Sequence, residues 1–209
     1  MLLKGYIGIS GIIGVGKSTF TNRLAKALDF EPVQEDAFHN PYLPKFYKDM
    51  SRYVFRMQIW FLNHRVRQHR RLTAKILSGQ KCGIVKDRTV WEDQVFAKMF
   101  NQGPSKLLSA VDYRTYREIF DCMMGEDPGI PELIIHLDCK PETALKRVKQ
   151  RGRSSEKTAL DLDYLRALQK SYEEFLKEMQ KSGTKILRLD WERFMPTAEV
   201  LRRVRPLLS

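Results

Sequence analysis

Residues 11–18 read Gly11-Ile12-Ile13-Gly14-Val15-Gly16-Lys17-Ser18; Thr19 and a helical run to Leu28 follow, and the apolar stretch Tyr6 to Ser10 precedes them. Glycines at these spacings allow a tight loop whose backbone N–H groups converge on an anion, and the helix behind it turns its positive end to the same point. Lys17 has the length to reach the β- and γ-phosphates, and Ser18 offers a hydroxyl to Mg²⁺. A glycine-rich turn that matched by chance would not also show strand, loop and helix in this order. Residues 11 to 19 therefore predict a nucleoside triphosphate site, with ATP as donor and Mg²⁺ as metal. They leave the acceptor open, because GTPases, motor ATPases and small-molecule kinases share the pattern.

Working outward from this loop, β-rich runs recur at Tyr6 to Ser10, Pro32 to Glu35, Gly83 to Asp87, Leu133 to Leu137 and Lys185 to Leu189. Segments of helical period separate them: Lys17 to Leu28, Ser51 to Leu77, Trp91 to Asn101, Tyr113 to Met124, Pro141 to Gln150, Leu162 to Lys181 and Ala198 to Leu207. Such alternation predicts an α/β fold of the P-loop type, with five parallel strands and helices on both faces. Ligands of such sheets bind at the carboxyl ends of the strands. With 209 residues, one domain over 1–209 is expected.

Hydrophobic content of 43% beside 30% charged residues is that of a globular protein and excludes a disordered chain. The net charge of +12 raises the question of nucleic acid. Much of it lies in runs such as Arg65 to Arg71 and Arg202 to Arg205, whose default reading is solvated helix faces, and no nucleic-acid motif accompanies them. Cys82, Cys122 and Cys139 form no CxxC pair and read as core thiols, which excludes a disulfide framework and structural zinc. The four histidines have no metal spacing. The chain enters its first strand directly, without a signal-peptide core or a membrane-spanning run, so the cytoplasm is the expected location.

A kinase that acts on a hydroxyl needs a carboxylate at the exit of a strand, within reach of the hydroxyl proton. Glu31 lies at the entry of the second strand and reads as surface; Glu35 lies at its exit. Asp87-Arg88-Thr89 follows an apolar run, so Asp87 can hold Mg²⁺ through water while Arg88 pairs with phosphate. A buried pair that merely closes a strand is the plain alternative. Gln58 and Arg65 are seven residues apart on a long helix and share a face; Gln58 can both donate to and accept from a base edge.

Several segments carry a family resemblance: Glu35-Asp-Ala-Phe-His-Asn-Pro-Tyr-Leu43, Lys45-Phe-Tyr-Lys-Asp49, Phe55-Arg-Met-Gln-Ile59, Asp87-Arg-Thr-Val-Trp-Glu-Asp93 and Arg151-Gly-Arg-Ser-Ser-Glu156. Through them the chain resembles, nearly end to end, the deoxyribonucleoside kinase family, particularly its bacterial deoxyadenosine and deoxyguanosine kinases. The resemblance implies phosphorylation of a deoxynucleoside 5′-hydroxyl, with a purine or deoxycytidine favoured. Counting back from Asn40 aligns Glu35 with the family's base, and Asp87-Arg88-Thr89 resembles its Glu-Arg-Ser motif, with a shorter acid. The resemblance also implies that Gln58 reads the base edge, that Arg65 pairs with Asp93 beside it, that Phe96 stacks on the base and that Tyr47 and Glu156 bond the 3′-hydroxyl. Arg147, Arg151 and Arg153 match an arginine lid over about 147–158, and a homodimer and feedback inhibition are implied by the family alone. Two other readings remain: a nucleotide kinase of the thymidylate kinase type, whose acceptor phosphate Glu35 would repel, and a nucleic-acid-binding ATPase.

Overall fold

The computed structural model describes residues 2–35, 37, 39–79, 83–125, 129–152 and 160–208. Strands β1 (Leu2–Ser10), β2 (Glu31–Val33), β3 (Ile84–Asp87), β4 (Ile130–Asp138) and β5 (Lys185–Asp190) form one all-parallel sheet in the order β2-β3-β1-β4-β5. Both neighbours of the central β1 are parallel, so its Ile7 and Ile9 are fully buried and β4 is buried from Pro131 to Leu137, as expected of strands covered by helices. Ile9 pairs with Asp87 on one side and Ile135 on the other, which aligns the carboxyl ends of β1 and β3.

The helices are α1 (Lys17–Leu28), α2 (Leu43–Lys48), α3 (Met50–Leu77), α4 (Asp93–Gln102), α5 (Ala110–Met124), α6 (Pro141–Arg151), α7 (Leu162–Lys181) and α8 (Thr197–Val204). Their starts are fixed locally. Asp49, Ser109 and Asp161 cap α3, α5 and α7 by accepting from the backbone N–H three residues on, and Pro141 occupies the first turn of α6. The buried row of α3 runs through Val54, Met57, Phe61, Leu62 and Val66 at the spacing of one helical face, and Gln58 and Arg65 are buried with it. Two polar residues on an apolar face point to a site beneath that helix.

The elements depart from the sequence expectations where local chemistry competes. The β2 ladder stops at Val33, so Glu35 stands two residues beyond the strand rather than at its end. Residues Val90–Glu92 form a 3₁₀ turn before α4, because Thr89 and Glu92 close a reciprocal capping box. A second such turn, Arg205–Leu207, follows α8 at Pro206. Helix α2 was not expected: it is a short piece among Pro41 and Pro44, too brief to show a period. Cys139 is buried and free, but Cys122 is exposed, because α5 buries the row Tyr116, Phe120 and Met124 and Cys122 lies off it. Cys82 lies outside the described residues.

Candidate active site

The loop between β1 and α1 is anchored from below. Ile12 and Val15 are buried in the core, which leaves the backbone of the loop to face the cavity above. Gly14 has φ +90°, and a Cβ there would meet the Ala144 carbonyl oxygen at 2.5 Å; at Gly11, with φ +139°, it would meet that of Leu137 at 2.7 Å. Only glycine fits this turn. Gly16 caps α1 with no side-chain partner, and no acid lies in the first turn, so the positive end of the helix is left for a ligand. The Lys17 ammonium donates to the carbonyls of Gly11 at 2.9 Å and Ile12 at 3.1 Å. Burial, and then the charge of Arg88, pushes it down to about 8, against the pull of Asp87 and Glu35. An incoming polyphosphate would raise it again.

Three carboxylates and two guanidiniums meet beside the loop. Ser18 donates its hydroxyl to Oδ2 of Asp87 at 2.6 Å, while Oδ1 of Asp87 is buried with no hydrogen-bond partner among the described residues. The shorter acid thus reaches the loop. A seryl oxygen beside a carboxylate oxygen without a partner fits a magnesium ion whose other ligands are phosphate and water. Glu35 accepts from Nη1 of Arg88 at 2.9 Å and from Nη2 of Arg65, both on Oε1. Burial alone would raise its carboxyl, but Arg88 and Arg65, then Lys17, hold it well below the usual carboxylate range. Burial pulls the Arg88 guanidinium down, but Glu35 together with Tyr172, Glu92 and Asp87 holds it above the ordinary value.

Arg65 forms a second ion pair with Asp93, whose other oxygen accepts from the buried Tyr116 hydroxyl at 2.8 Å. Oε1 of Gln58, only 2% exposed, has no hydrogen-bond partner among the described residues. Leaving such an acceptor unmade is costly, so it marks a position for a ligand donor. Phe61 and Phe96 carry the guanidiniums of Arg65 and Arg88 at 4.6 and 4.5 Å from their ring centres. All of these side chains except Asp93 and Tyr116 line one cavity of about 420 Å³ that also takes in Lys17, Ser18, Thr19, Tyr47 and Tyr164. It is large enough for a nucleoside beside a phosphate chain.

The sequence matches the family model described as Deoxynucleoside kinase over residues 7–205. The chain belongs to the deoxynucleoside kinase family. It is 38% identical over 200 residues to a deoxyadenosine kinase of Dictyostelium discoideum, covering 96% of this chain and 78% of that one. It is 41% identical over 152 residues to a deoxyadenosine/deoxycytidine kinase of Bacillus subtilis, covering 72% and 67%. Among solved structures, the deoxyadenosine kinase of M. mycoides with bound dCTP has a TM-score of 0.80 at 30% identity, covering 96% of this chain and 99% of that one.

Within this kinase fold, Arg147 and Arg151 past β4 both line the cavity. Arg147 is tied down: it donates to the carbonyls of Val15 at 3.3 Å, Trp191 at 2.9 Å and Glu192 at 3.0 Å, and its guanidinium covers the Phe194 ring at 4.7 Å. Expected in a lid, it lines the cavity and also ties the phosphate loop to the segment after β5. Arg151 lines the cavity, and Arg153 and Glu156 lie outside the described residues.

Sequence reading missed Phe194, Tyr164 and Tyr116. Phe194 is 65% exposed, lines the cavity and lies against Gly16, where a Cβ would touch its ring at 3.6 Å. Phe194 gave no signal in the sequence, because its place beside the loop is visible only once the segment after β5 is folded against α1. Tyr164 and Tyr116 carried none, since each sits at ordinary helical core spacing.

Proposed function

We propose that this kinase transfers the γ-phosphoryl group of ATP to the 5′-hydroxyl of a purine deoxynucleoside or deoxycytidine, releasing the 5′-monophosphate for nucleotide salvage. The observation that carries the reading is Glu35, an ionised carboxylate in the same cavity as Lys17, at the carboxyl edge of the sheet. Two arginines keep it in the ionised form that a base needs while lowering its basicity, so it orients the hydroxyl and takes the proton late, as the new bond to phosphorus forms.

Lys17, Arg88 and Arg151 act on charge that spreads over the moving phosphoryl group, and the backbone of residues 11 to 19 holds the rest of the triphosphate. Ser18 and Asp87 would hold Mg²⁺, which when bound supplies neutralisation of the phosphate oxygens. Phe194 and Arg147 offer a ring and a guanidinium plane to the base of the donor. On the acceptor side Gln58 reads the base edge, the Arg65–Asp93 pair lies beside it, Phe96 packs on the base, and Tyr47 meets the sugar. Arg153 and Glu156 belong to the same reading through the sequence resemblance alone.

The names of the relatives, deoxyadenosine kinase and deoxyadenosine/deoxycytidine kinase, support an amino-bearing base, which could donate to the buried Oε1 of Gln58. No described helix is long and apolar enough to cross a membrane; a cytoplasmic homodimer with no nucleic-acid partner completes the proposal.

A coupled assay of the four deoxynucleosides and their monophosphates, with ATP and Mg²⁺, tests it. Turnover of deoxyadenosine, deoxyguanosine or deoxycytidine is expected, with thymidine the poorest. Turnover of monophosphates alone would overturn it.

A further inference from the structure

We infer that Lys86 is a positioning residue for this reaction, clasping the backbone that carries Glu35 to the strand that carries Asp87 and Arg88. The inference rests on the reading of Glu35 as the base.

The need for a clasp follows from the sheet. Edge strand β2 pairs with β3 only at Glu31↔Ile84, Pro32↔Val85 and Val33↔Lys86, so no backbone rung reaches Glu35. Lys86 sits in the middle of a strand whose four residues are all buried and is itself 3% exposed. A buried ammonium is costly unless bonded, and an apolar residue would suit the core better. Its Nζ donates to the carbonyl of Gln34 at 3.3 Å and to that of Asp87 at 3.0 Å. The side chain thus adds a rung beyond the last rung of the ladder, one residue from Glu35.

Gln34 extends the tie in two more directions. Its carbonyl also accepts from Nε2 of Gln68 on α3 at 3.4 Å. Its own Nε2 donates to Oδ1 of Asn22 at 2.7 Å and to the carbonyl of Ser18 at 3.4 Å on α1. Three pieces of chain that each bear a reacting group are therefore joined at one point: α1 with Lys17 and Ser18, the end of β3 with Asp87 and Arg88, and the segment bearing Glu35. Neither Lys86 nor Gln34 lines the cavity, so neither touches substrate.

The test compares Lys86→Met, Gln34→Ala and Glu35→Gln in the full chain, measuring kcat, KM for deoxynucleoside and ATP, and Tm. Lys86→Met keeps the stem and removes the donors. Because misplacing a reacting group costs the transition state, kcat should fall about tenfold to hundredfold while each KM stays within about twofold. Gln34→Ala removes only the tie to α1, at a half-buried position where folding is not at stake, and should lower kcat in the same sense by a smaller factor. A Lys86→Met enzyme with lower Tm but unchanged kcat would make the lysine structural and overturn the clasp. If that variant does not fold, Lys86→Gln, which stays polar but is too short to reach both carbonyls, is measured in its place, and an unchanged kcat there overturns the clasp. An active Glu35→Gln enzyme overturns the assignment of the base, and the clasp with it; an inactive one beside a fully active Lys86→Met overturns the clasp alone.

Discussion

Arg88 reaches Oε1 of Glu35 at 2.9 Å from a backbone held at φ +57°, a left-handed conformation that a non-glycine residue rarely adopts. Such a conformation costs about 1–2 kcal/mol. It is held by the Arg88 N–H bonded to the carbonyl of Ile9 at 3.1 Å and by the guanidinium seated on Phe96. Strain at this position aims the side chain into the cavity instead of along the strand. Arg88→Lys keeps a charge but loses the planar fork. Its kcat is expected to fall by about a hundredfold or more, as found when one preorganised donor to developing charge is removed, and steady-state kinetics checks it.

The two glutamates of the β2 region separate cleanly. Glu35→Gln should abolish most turnover with little change in deoxynucleoside KM. Glu31, which is half-exposed and pairs with Lys75, should be nearly silent as Glu31→Gln. A coupled assay of both variants reads the difference, and the reverse pattern would show that the wrong carboxylate was chosen.

Phe194→Ala should raise KM for ATP and leave KM for the deoxynucleoside unchanged, since the ring stands beside Gly16 and Arg147 at the donor end. Its exposure means that Tm should change little. Equal effects on both substrates would move the ring out of the donor site.

Asp87→Asn should raise the Mg²⁺ concentration needed for half-maximal rate, because it removes the charge beside Ser18 while keeping the shape. Titrating the metal at fixed ATP measures this. An unaltered requirement would leave Asp87 as a partner of Ser18 only.

Glu92 supplies a test in stability. Burial pushes its carboxyl up to about 7, although Arg88 and the Thr89 N–H oppose this, and its oxygens accept from Thr89 N at 2.8 Å and the Tyr172 hydroxyl at 3.1 Å. A carboxyl raised on folding binds a proton more tightly in the native state, so stability falls as pH rises from its unfolded value near 4.5 to about 7. The full penalty stands above that range. Glu92→Gln mimics the protonated form and should gain on the order of a few degrees in Tm at pH 8, with no gain near pH 4. Melting curves across that range decide it.

The fold was legible because the glycine loop and the alternating periods are local signals, and the strands appear within a few residues of their expected places. The order of the strands was not, since pairing is set by crossovers and not by neighbours in the chain. In the site, counting and the place after a strand singled out Glu35, yet its partnership with Arg65 had no local signal, because the two are thirty positions apart. At Arg147 the basic run after β4 suggested a lid residue, whereas its bonds to three backbone carbonyls, two of them beyond β5, had no local signal. Lys86 was passed over because one lysine in an apolar run resembles an edge residue until both flanking strands are seen.

Arg65 touches Asp93 and Glu35 at once, and on the proposed reading one of these partners belongs to base choice and the other to proton removal. Selectivity and speed are then mechanically inseparable at this position: any change there that admits a new base also disturbs the group that starts the reaction. Gln58, two turns earlier on the same rod, has no such double allegiance. Efforts to retune this kinase toward other deoxynucleosides should begin there, with Arg65 left alone.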